Sequence, residues 1–198
     1  MSVTPNCYSL TTGIATANCL GLNKPGGIDG TVYIGFRPDL DSVTFGTDGE
    51  ITAMTLDSGK KLVKFAGKKL DHEIKWTLVA QKPVNMFQIV ADLFLYPYTQ
   101  AEVKSIEALL KQKRMFIIYV TTGGQVKAAG IDVNPWIAGE LDDERGLEAS
   151  AGEAAEGKTM EADTFNKVTL QGNFFNLPKT YKPASTLATV ISELDALC

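Results

Sequence analysis

The chain has little of the chemistry on which most enzymes and metal sites depend. It contains one histidine, His72, and three cysteines, Cys7, Cys19 and Cys198, none of which forms a pair separated by two residues. A zinc site needs more histidine or cysteine ligands than this, and a Ser-His-Asp or Cys-His arrangement would have to use His72. That histidine lies near Trp76 in an alternating strand pattern, which favours a packed or surface side chain. We therefore expect no catalysis, no metal and no cofactor.

Disulfide and membrane signals are also scarce. The odd number of cysteines indicates reduced thiols in a protein made in a cytosol, and the alternative is a Cys7–Cys19 disulfide within the N-terminal arm. No stretch of about eighteen apolar residues occurs in the sequence. The first residues lack the basic start and apolar core of a signal peptide. We expect neither a membrane span nor membrane binding by this chain.

Basic charge is missing from one segment. Residues 140–163 carry nine acidic side chains against Arg145 and Lys158, a net charge of −7, which leaves +3 for the rest of a chain whose total is −4. The acidic residues of this segment are Glu140, Asp142, Asp143, Glu144, Glu148, Glu153, Glu156, Glu161 and Asp163. A protein that holds DNA or RNA tightly normally presents a coherent basic face. This distribution excludes tight, static nucleic-acid binding.

The clearest structural pattern is a helix followed by a hairpin. Thr99 and Glu102 have the spacing of a capping box, and apolar residues then recur at helical spacing, which predicts one short α-helix over about 99–114. The apolar run 115–120 predicts a strand that looks central, and the turn 121–125 leads into a second strand over 126–131. This unit is structural and carries no chemistry.

The remaining patterns predict a single, mainly β domain. Short strands are expected over 31–36, 42–45, 51–54, 61–65, 71–78, 86–95 and 165–175, and a short terminal helix over 186–197. The mostly apolar segment 86–95 is expected to be buried on both faces. Many short strands with glycine turns and one helix indicate a β-sandwich or barrel. We divide the domain 1–198 into an N-terminal arm (1–28), a β-sandwich core (29–178) and a C-terminal tail (179–198).

Segment 152–159, which runs from Gly152 to Thr159, fits the phosphate-binding P-loop formula letter for letter. That loop binds phosphate through backbone N–H groups and the start of a helix. Here no buried parallel strand precedes the segment, two glutamates lie within it, and a strand pattern follows it. These features argue against nucleotide binding.

A β-rich domain of this size, with one short helix, glycine turns, an acidic small-residue segment and no catalytic set, resembles the tail tube proteins of phages. The similarity lies in the order of elements: a strand meander, the helix over 99–114, the hairpin over 115–131, and a late strand that includes 167–174. It covers roughly residues 28–178.

The resemblance implies a structural virion protein whose copies form hexameric rings, and the rings stack into a tube through which phage DNA is ejected. Its partners would be further copies of itself, the connector, the tape measure and the tail tip, with viral DNA in transient passage. It would be made in the cytoplasm of a bacterial host and reside in the virion tail. Alternatives are a tail terminator or connector ring, a non-viral β-sandwich binding module, and a nucleotide-dependent enzyme that uses segment 152–159.

Within such a ring, an acidic wall would repel the phosphates of passing DNA, which carry one negative charge per roughly 1.7 Å of duplex. We therefore expect Glu148, Glu153 and Glu156 to face the lumen or the interface between stacked rings, with Lys158 a partner across that interface. The alternative is a solvated acidic loop.

Overall fold

Antiparallel strands dominate the secondary structure. The structure is a computed structural model and describes residues 27–67, 71–80, 85–97, 99–134, 141–142, 144–155, 165–183 and 186–198. The strands are β1 (Ile28–Phe36), β2 (Leu40–Phe45), β3 (Ile51–Leu56), β4 (Val63–Ala66), β5 (Glu73–Val79), β6 (Met86–Leu95), β7 (Met115–Thr121), β8 (Val126–Ala129), β9 (Glu148–Ala155), β10 (Phe165–Phe174) and β11 (Lys179–Thr180). The helices are α1 (Gln100–Lys111), α2 (Leu187–Ala196) and a 3-10 turn at Arg37–Asp39. The expected mainly β class is confirmed.

The strands form three open sheets. A five-stranded sheet has the order β11-β8-β7-β1-β4, and we call it the central sheet. The second, called the four-stranded sheet, has the order β5-β6-β10-β9, and β2 pairs with β3 as a separate hairpin. Neighbouring strands run antiparallel throughout. Within the described residues no sheet closes into a barrel.

The central sheet is covered on both faces, and β7 shows why. Met115, Ile117 and Tyr119 join a core with the four-stranded sheet and α1. The alternate residues Phe116, Ile118 and Val120 join a second core with the β2–β3 hairpin and α2. Because successive side chains of a strand point to opposite faces, all six residues are buried. The expectation that this apolar run is central is confirmed.

The two helices begin as their capping residues predict. The Thr99 hydroxyl oxygen accepts a hydrogen bond from the Glu102 backbone N–H at 3.3 Å, and the Glu102 carboxylate accepts one from the Thr99 N–H at 2.8 Å. Thr186 caps α2 by accepting from the Thr189 N–H at 3.4 Å. The Tyr33 hydroxyl donates to Asp195 of α2 at 2.8 Å and so ties this helix to the central sheet. Both predicted helices are confirmed, α1 ending three residues early.

The expectation that segment 86–95 is buried on both faces is wrong. In β6 the alternate residues Ile89, Ala91, Leu93 and Leu95 are buried, whereas Val90 and its outward-facing neighbours are only half-buried. The four-stranded sheet packs on the central sheet through one face only. Its other face has no second hydrophobic cluster among the described residues; there only Met86, which Arg145 contacts, is buried among the β6 residues. The apolar composition of β6 therefore does not require a second core.

Cavity-creating substitutions will distinguish β7, which is buried on both faces, from β6, which is buried mainly on one. We expect Ile117→Ala and Ile118→Ala, on opposite faces of β7, each to lower the free energy of unfolding by about 2–5 kcal/mol because each empties a core position. In β6, Leu93→Ala should lower the free energy of unfolding by a similar amount, and Val90→Ala should lower it much less. Urea denaturation of the four variants measures this. Equal costs for Leu93→Ala and Val90→Ala would contradict the one-sided burial of β6.

Candidate assembly surface on the four-stranded sheet

The four-stranded sheet has a long free edge on each side. Its outermost strands, β5 with seven residues and β9 with eight, each pair with one neighbour among the described residues. An edge strand exposes a row of unpaired backbone N–H and C=O groups, and these can pair with a strand of another chain. The sheet therefore offers two places at which it can be extended.

The uncovered face of this sheet is mostly polar. The register places its outward-facing residues directly opposite one another across neighbouring strands. The polar side chains on this face are Glu73, Lys75, Thr77, Gln88, Asp92, Glu148, Glu153, Lys167, Thr169, Gln171 and Asn173. Phe94 and Phe165 lie together at one end of the same face, with their ring centroids 5.3 Å apart. A polar face of this kind is suited to water or to a polar ligand rather than to a second core.

Both lysines of this face lie beside carboxylates. The Lys75 ammonium is 2.7 Å from a Glu73 oxygen, and the Lys167 ammonium is 3.3 Å from an Asp92 oxygen. Asp92 also accepts a hydrogen bond from the Thr169 hydroxyl at 2.6 Å. Exposed pairs add little stability, but they reduce the positive charge available to phosphate. With four acids and two lysines, the described strand positions of this face carry a net charge of −2.

Two of the four predicted site residues lie on this face. Glu148 and Glu153 are exposed, opposite Gln171 and Lys167 respectively on β10. Five residues apart, they would point to opposite faces of a regular strand. The register shifts between the pairs Thr169–Ala151 and Leu170–Ala149, so that Ser150 is an extra residue, a β-bulge, and both glutamates point outward. Glu156 and Lys158 lie outside the described residues.

The P-loop interpretation of segment 152–159 has no support in its described part. Gly152 to Ala155 belong to β9 and pair antiparallel with β10, and Gly152 lies opposite Val168. A phosphate-binding loop instead curls its backbone N–H groups around the anion between a strand and a helix. The rest of the segment, from Glu156 to Thr159, lies outside the described residues.

His72 is a packed structural residue. Its Nδ1 accepts a hydrogen bond from the Phe94 N–H at 3.1 Å, so its Nε2 carries the proton and donates to the Gly30 carbonyl oxygen at 3.2 Å. The ring thus links β6 of the four-stranded sheet to β1 of the central sheet. Burial lowers the pKa of His72, although its hydrogen bond to Gly30 acts in the opposite direction. A histidine held by two backbone groups has no free nitrogen for general-base catalysis.

Asp132, a buried carboxylate that the sequence analysis did not single out, is also structural. One of its oxygens accepts from the Phe175 N–H at 2.6 Å, and the other accepts from the Asn176 side-chain amide at 2.5 Å and the Val133 N–H at 3.1 Å. Burial raises its pKa against the opposing effect of these bonds. Asp132 fastens the segment after β10 to the segment after β8. Because both of its oxygens already accept hydrogen bonds from the protein, Asp132 has a structural role.

A cleft of about 790 Å³ opens beside His72 and is lined by Ile28, Trp76, Tyr119 and Pro178 together with several charged side chains. Two of the charged side chains, Asp92 and Lys167, already contact each other. No group of three or more histidine, cysteine, aspartate or glutamate residues with metal-binding geometry occurs in the described part of the chain. The described residues around the cleft therefore present no metal-binding set.

Trp76 lies on β5, at one edge of the four-stranded sheet. The predicted alternation of His72, Ile74, Trp76 and Leu78 on one side of β5 agrees with the register, in which Trp76 lies opposite the buried Ile89. Yet Trp76 is 53% exposed and Leu78 is 52% exposed. Their face of β5 extends past the layer that covers the rest of the sheet. Alternation gives the face of a strand, but it does not reveal that the strand lies at an edge.

No family model, curated protein or solved structure matches the chain. In the described ranges α1 and α2 are twelve and ten residues long, and no helix there has the length and apolarity needed to cross a membrane. The functional interpretation therefore depends on the free edges and the polar face of the four-stranded sheet.

The lowered pKa of His72 makes stability depend on pH. The unfolded chain binds a proton near the ordinary pKa of 6.5 and the folded chain only at lower pH, so the free energy of unfolding should fall as pH drops below about 6.5. Denaturation between pH 7.5 and 5.5 should show this slope, and His72→Gln, which does not titrate, should reduce it. A His72 pKa at or above 6.5 by NMR would contradict the arrangement.

Proposed function

We propose that this chain is a structural subunit whose copies join head-to-tail into a ring, and that the ring is a segment of a phage tail tube. The observation that carries the proposal is the pair of long edge strands, β5 and β9, which lie on opposite sides of one sheet and have no second partner among the described residues; the outward face of that sheet is mostly polar. In this proposal the fold is of the tail-tube type, and the four-stranded sheets of neighbouring copies join into one barrel around the axis.

Strand direction favours this mode of joining. The four strands alternate in direction across the sheet, so β5 and β9 run opposite to each other. When copies related by rotation about one axis are placed side by side, β9 of one copy meets β5 of the next in antiparallel orientation. Each contact uses two different surfaces, and a heterologous contact of this kind generates a ring when the rotation closes. Closure removes both free edges of every copy.

The polar face would then line the channel. At the described strand positions its lysines are paired with carboxylates and the net charge is −2 per copy, so a DNA duplex in transit would meet no row of free cations there. The resemblance supplies the rest of the proposal: hexameric rings that stack, partners in the connector, the tape measure and the tail tip, and a place in the virion tail. A ring of the same construction at the end of the tube is the alternative within this class.

Cross-linking across the proposed contact tests the ring. The three native cysteines are first replaced by serine. Each variant then carries one new cysteine on β5, Lys75→Cys or Thr77→Cys, and one on β9, Ala151→Cys or Glu153→Cys. On oxidation these variants should give a covalent ladder that ends at the closed ring. Single-cysteine variants are the control and should give no ladder, since each copy then carries one half of the contact. Negative-stain microscopy of the untreated protein should show rings or tubes. A clean monomer without a ladder would favour a binding module instead.

Charge reversal tests the lining of the channel. Tubes of Glu148→Lys/Glu153→Lys should retain duplex DNA in a filter assay and lose it as salt rises, with a slope of log affinity that increases by about 0.9 for each new phosphate contact. The matched control, Glu107→Lys/Glu193→Lys, changes the charge equally at exposed positions of α1 and α2 and should retain none. Equal retention by both, or normal ejection by a phage carrying Glu148/Glu153/Glu156→Lys, would favour a solvated acidic surface with no role in the channel.

A further inference from the structure

The inner side of the β5 edge exposes a large apolar surface. Trp76 and Leu78 lie on the face of the four-stranded sheet that elsewhere forms the core, yet more than half of each side chain is exposed. Phe87 supports the indole from beneath in an edge-to-face contact, with ring centroids 5.8 Å apart and planes at 83°. An indole fixed in this way, half out of water and beside an unpaired strand edge, is typical of an interface anchor.

The opposite edge of the same sheet contains a hollow. It has a volume of about 190 Å³ and lies between α1 and the strands β9 and β10. Its apolar lining comes from Ile106, Leu110, Gly152, Ala154 and Val168, and Glu153, Asn166 and Lys167 complete it. Leu110 is 37% exposed there. α1 approaches β9 closely because Gly152 has no side chain, and a Cβ at that position would lie 3.2 Å from Leu110 Cδ2. The hollow therefore combines apolar side chains of α1 and β10 with small residues of the edge strand β9 and three polar residues.

We infer that Trp76 of one copy inserts into this α1–β9 hollow of the next copy. The inference rests on the proposed ring and specifies what holds its subunits together. Since Trp76 and the hollow lie on the same face of the sheet at its two edges, joining β5 to β9 of the next copy places the indole beside the hollow. The volume suffices for an aromatic side chain, because an apolar cavity of about 150 Å³ admits benzene. The contact buries the apolar surface that each edge exposes alone.

Substitution of the anchor should weaken assembly without unfolding the subunit. Trp76→Ala should raise the dissociation constant between copies at least about thirty-fold in analytical ultracentrifugation, the effect of losing an anchor worth about 2 kcal/mol. Leu187→Ala, which trims an exposed apolar residue of α2, is the control and should leave assembly unchanged. Thermal unfolding of dilute protein checks that the Trp76→Ala subunit is folded.

Filling the hollow should have the same effect. Ala154→Phe points into the hollow, whereas Ala188→Phe places the same side chain at an exposed position of α2, away from both edges of the four-stranded sheet. We expect the first variant to lose assembly as severely as Trp76→Ala and the second to assemble within about three-fold of the unmodified chain. Both positions are exposed in one copy, so neither substitution disturbs a core.

Mixing the two defective variants provides a test that depends on direction. A Trp76→Ala subunit keeps its hollow, and an Ala154→Phe subunit keeps its indole, so an equimolar mixture should form heterodimers and no longer species.

Tryptophan fluorescence reports burial of the anchor directly. The Trp136→Phe substitution leaves Trp76 as the chain's remaining tryptophan. On assembly the Trp76 emission should shift to the blue, and the quenching of Trp76 by acrylamide should fall several-fold.

The outcomes separate this inference from the proposed ring. Cross-linked rings that form normally with Trp76→Ala, or a mixture that yields no heterodimer, would overturn the inference and leave the ring intact. A chain that forms no cross-linked ladder under any condition would overturn both. Loss of assembly in Trp76→Ala and Ala154→Phe, together with heterodimers in their mixture, would establish the contact.

Discussion

Burial of β7 on both faces is the constraint on which the rest of the fold depends. Six consecutive apolar side chains, from Met115 to Val120, leave water only if a layer covers each side of their strand. The four-stranded sheet and α1 supply one cover, and the β2–β3 hairpin and α2 supply the other. The four-stranded sheet is therefore itself an outer layer, and its far face must be compatible with water.

The edge strands of the two main sheets differ in length. The central sheet ends in β11, with two residues, and β4, with four, and short edge strands are one way in which proteins limit unwanted pairing. The four-stranded sheet ends in strands of seven and eight residues, and one of them carries exposed Trp76 and Leu78. This contrast is the physical reason for assigning association to the outer sheet rather than to the fold as a whole.

Local features of the fold could be predicted from sequence, whereas long-range ones could not. The Thr99 capping box, the β7–β8 hairpin and α2 follow from residues that lie close together in the chain. The one-sided burial of β6 depends on which layers surround it, and the outward direction of both Glu148 and Glu153 depends on the bulge at Ser150. The exposure of Trp76 depends on strand order, which local patterns do not encode. The positions of Glu148 and Glu153, two of the four predicted site residues, could therefore be found only from the register of strands that are distant in sequence.

The charge pattern of the polar face suits a surface that repeats around an axis. Exposed ion pairs such as Lys75–Glu73 contribute little stability, so stability alone gives little reason for them. In a ring, however, the same charges recur in every copy, and acids without lysines would repel both the DNA and one another over a Debye length of about 8 Å at physiological salt. Pairing Asp92 with Lys167 keeps the density of charge low while leaving an excess of acid. In the proposed ring, such a surface would neither hold phosphate nor oppose closure, and a channel wall built from identical subunits needs both properties together.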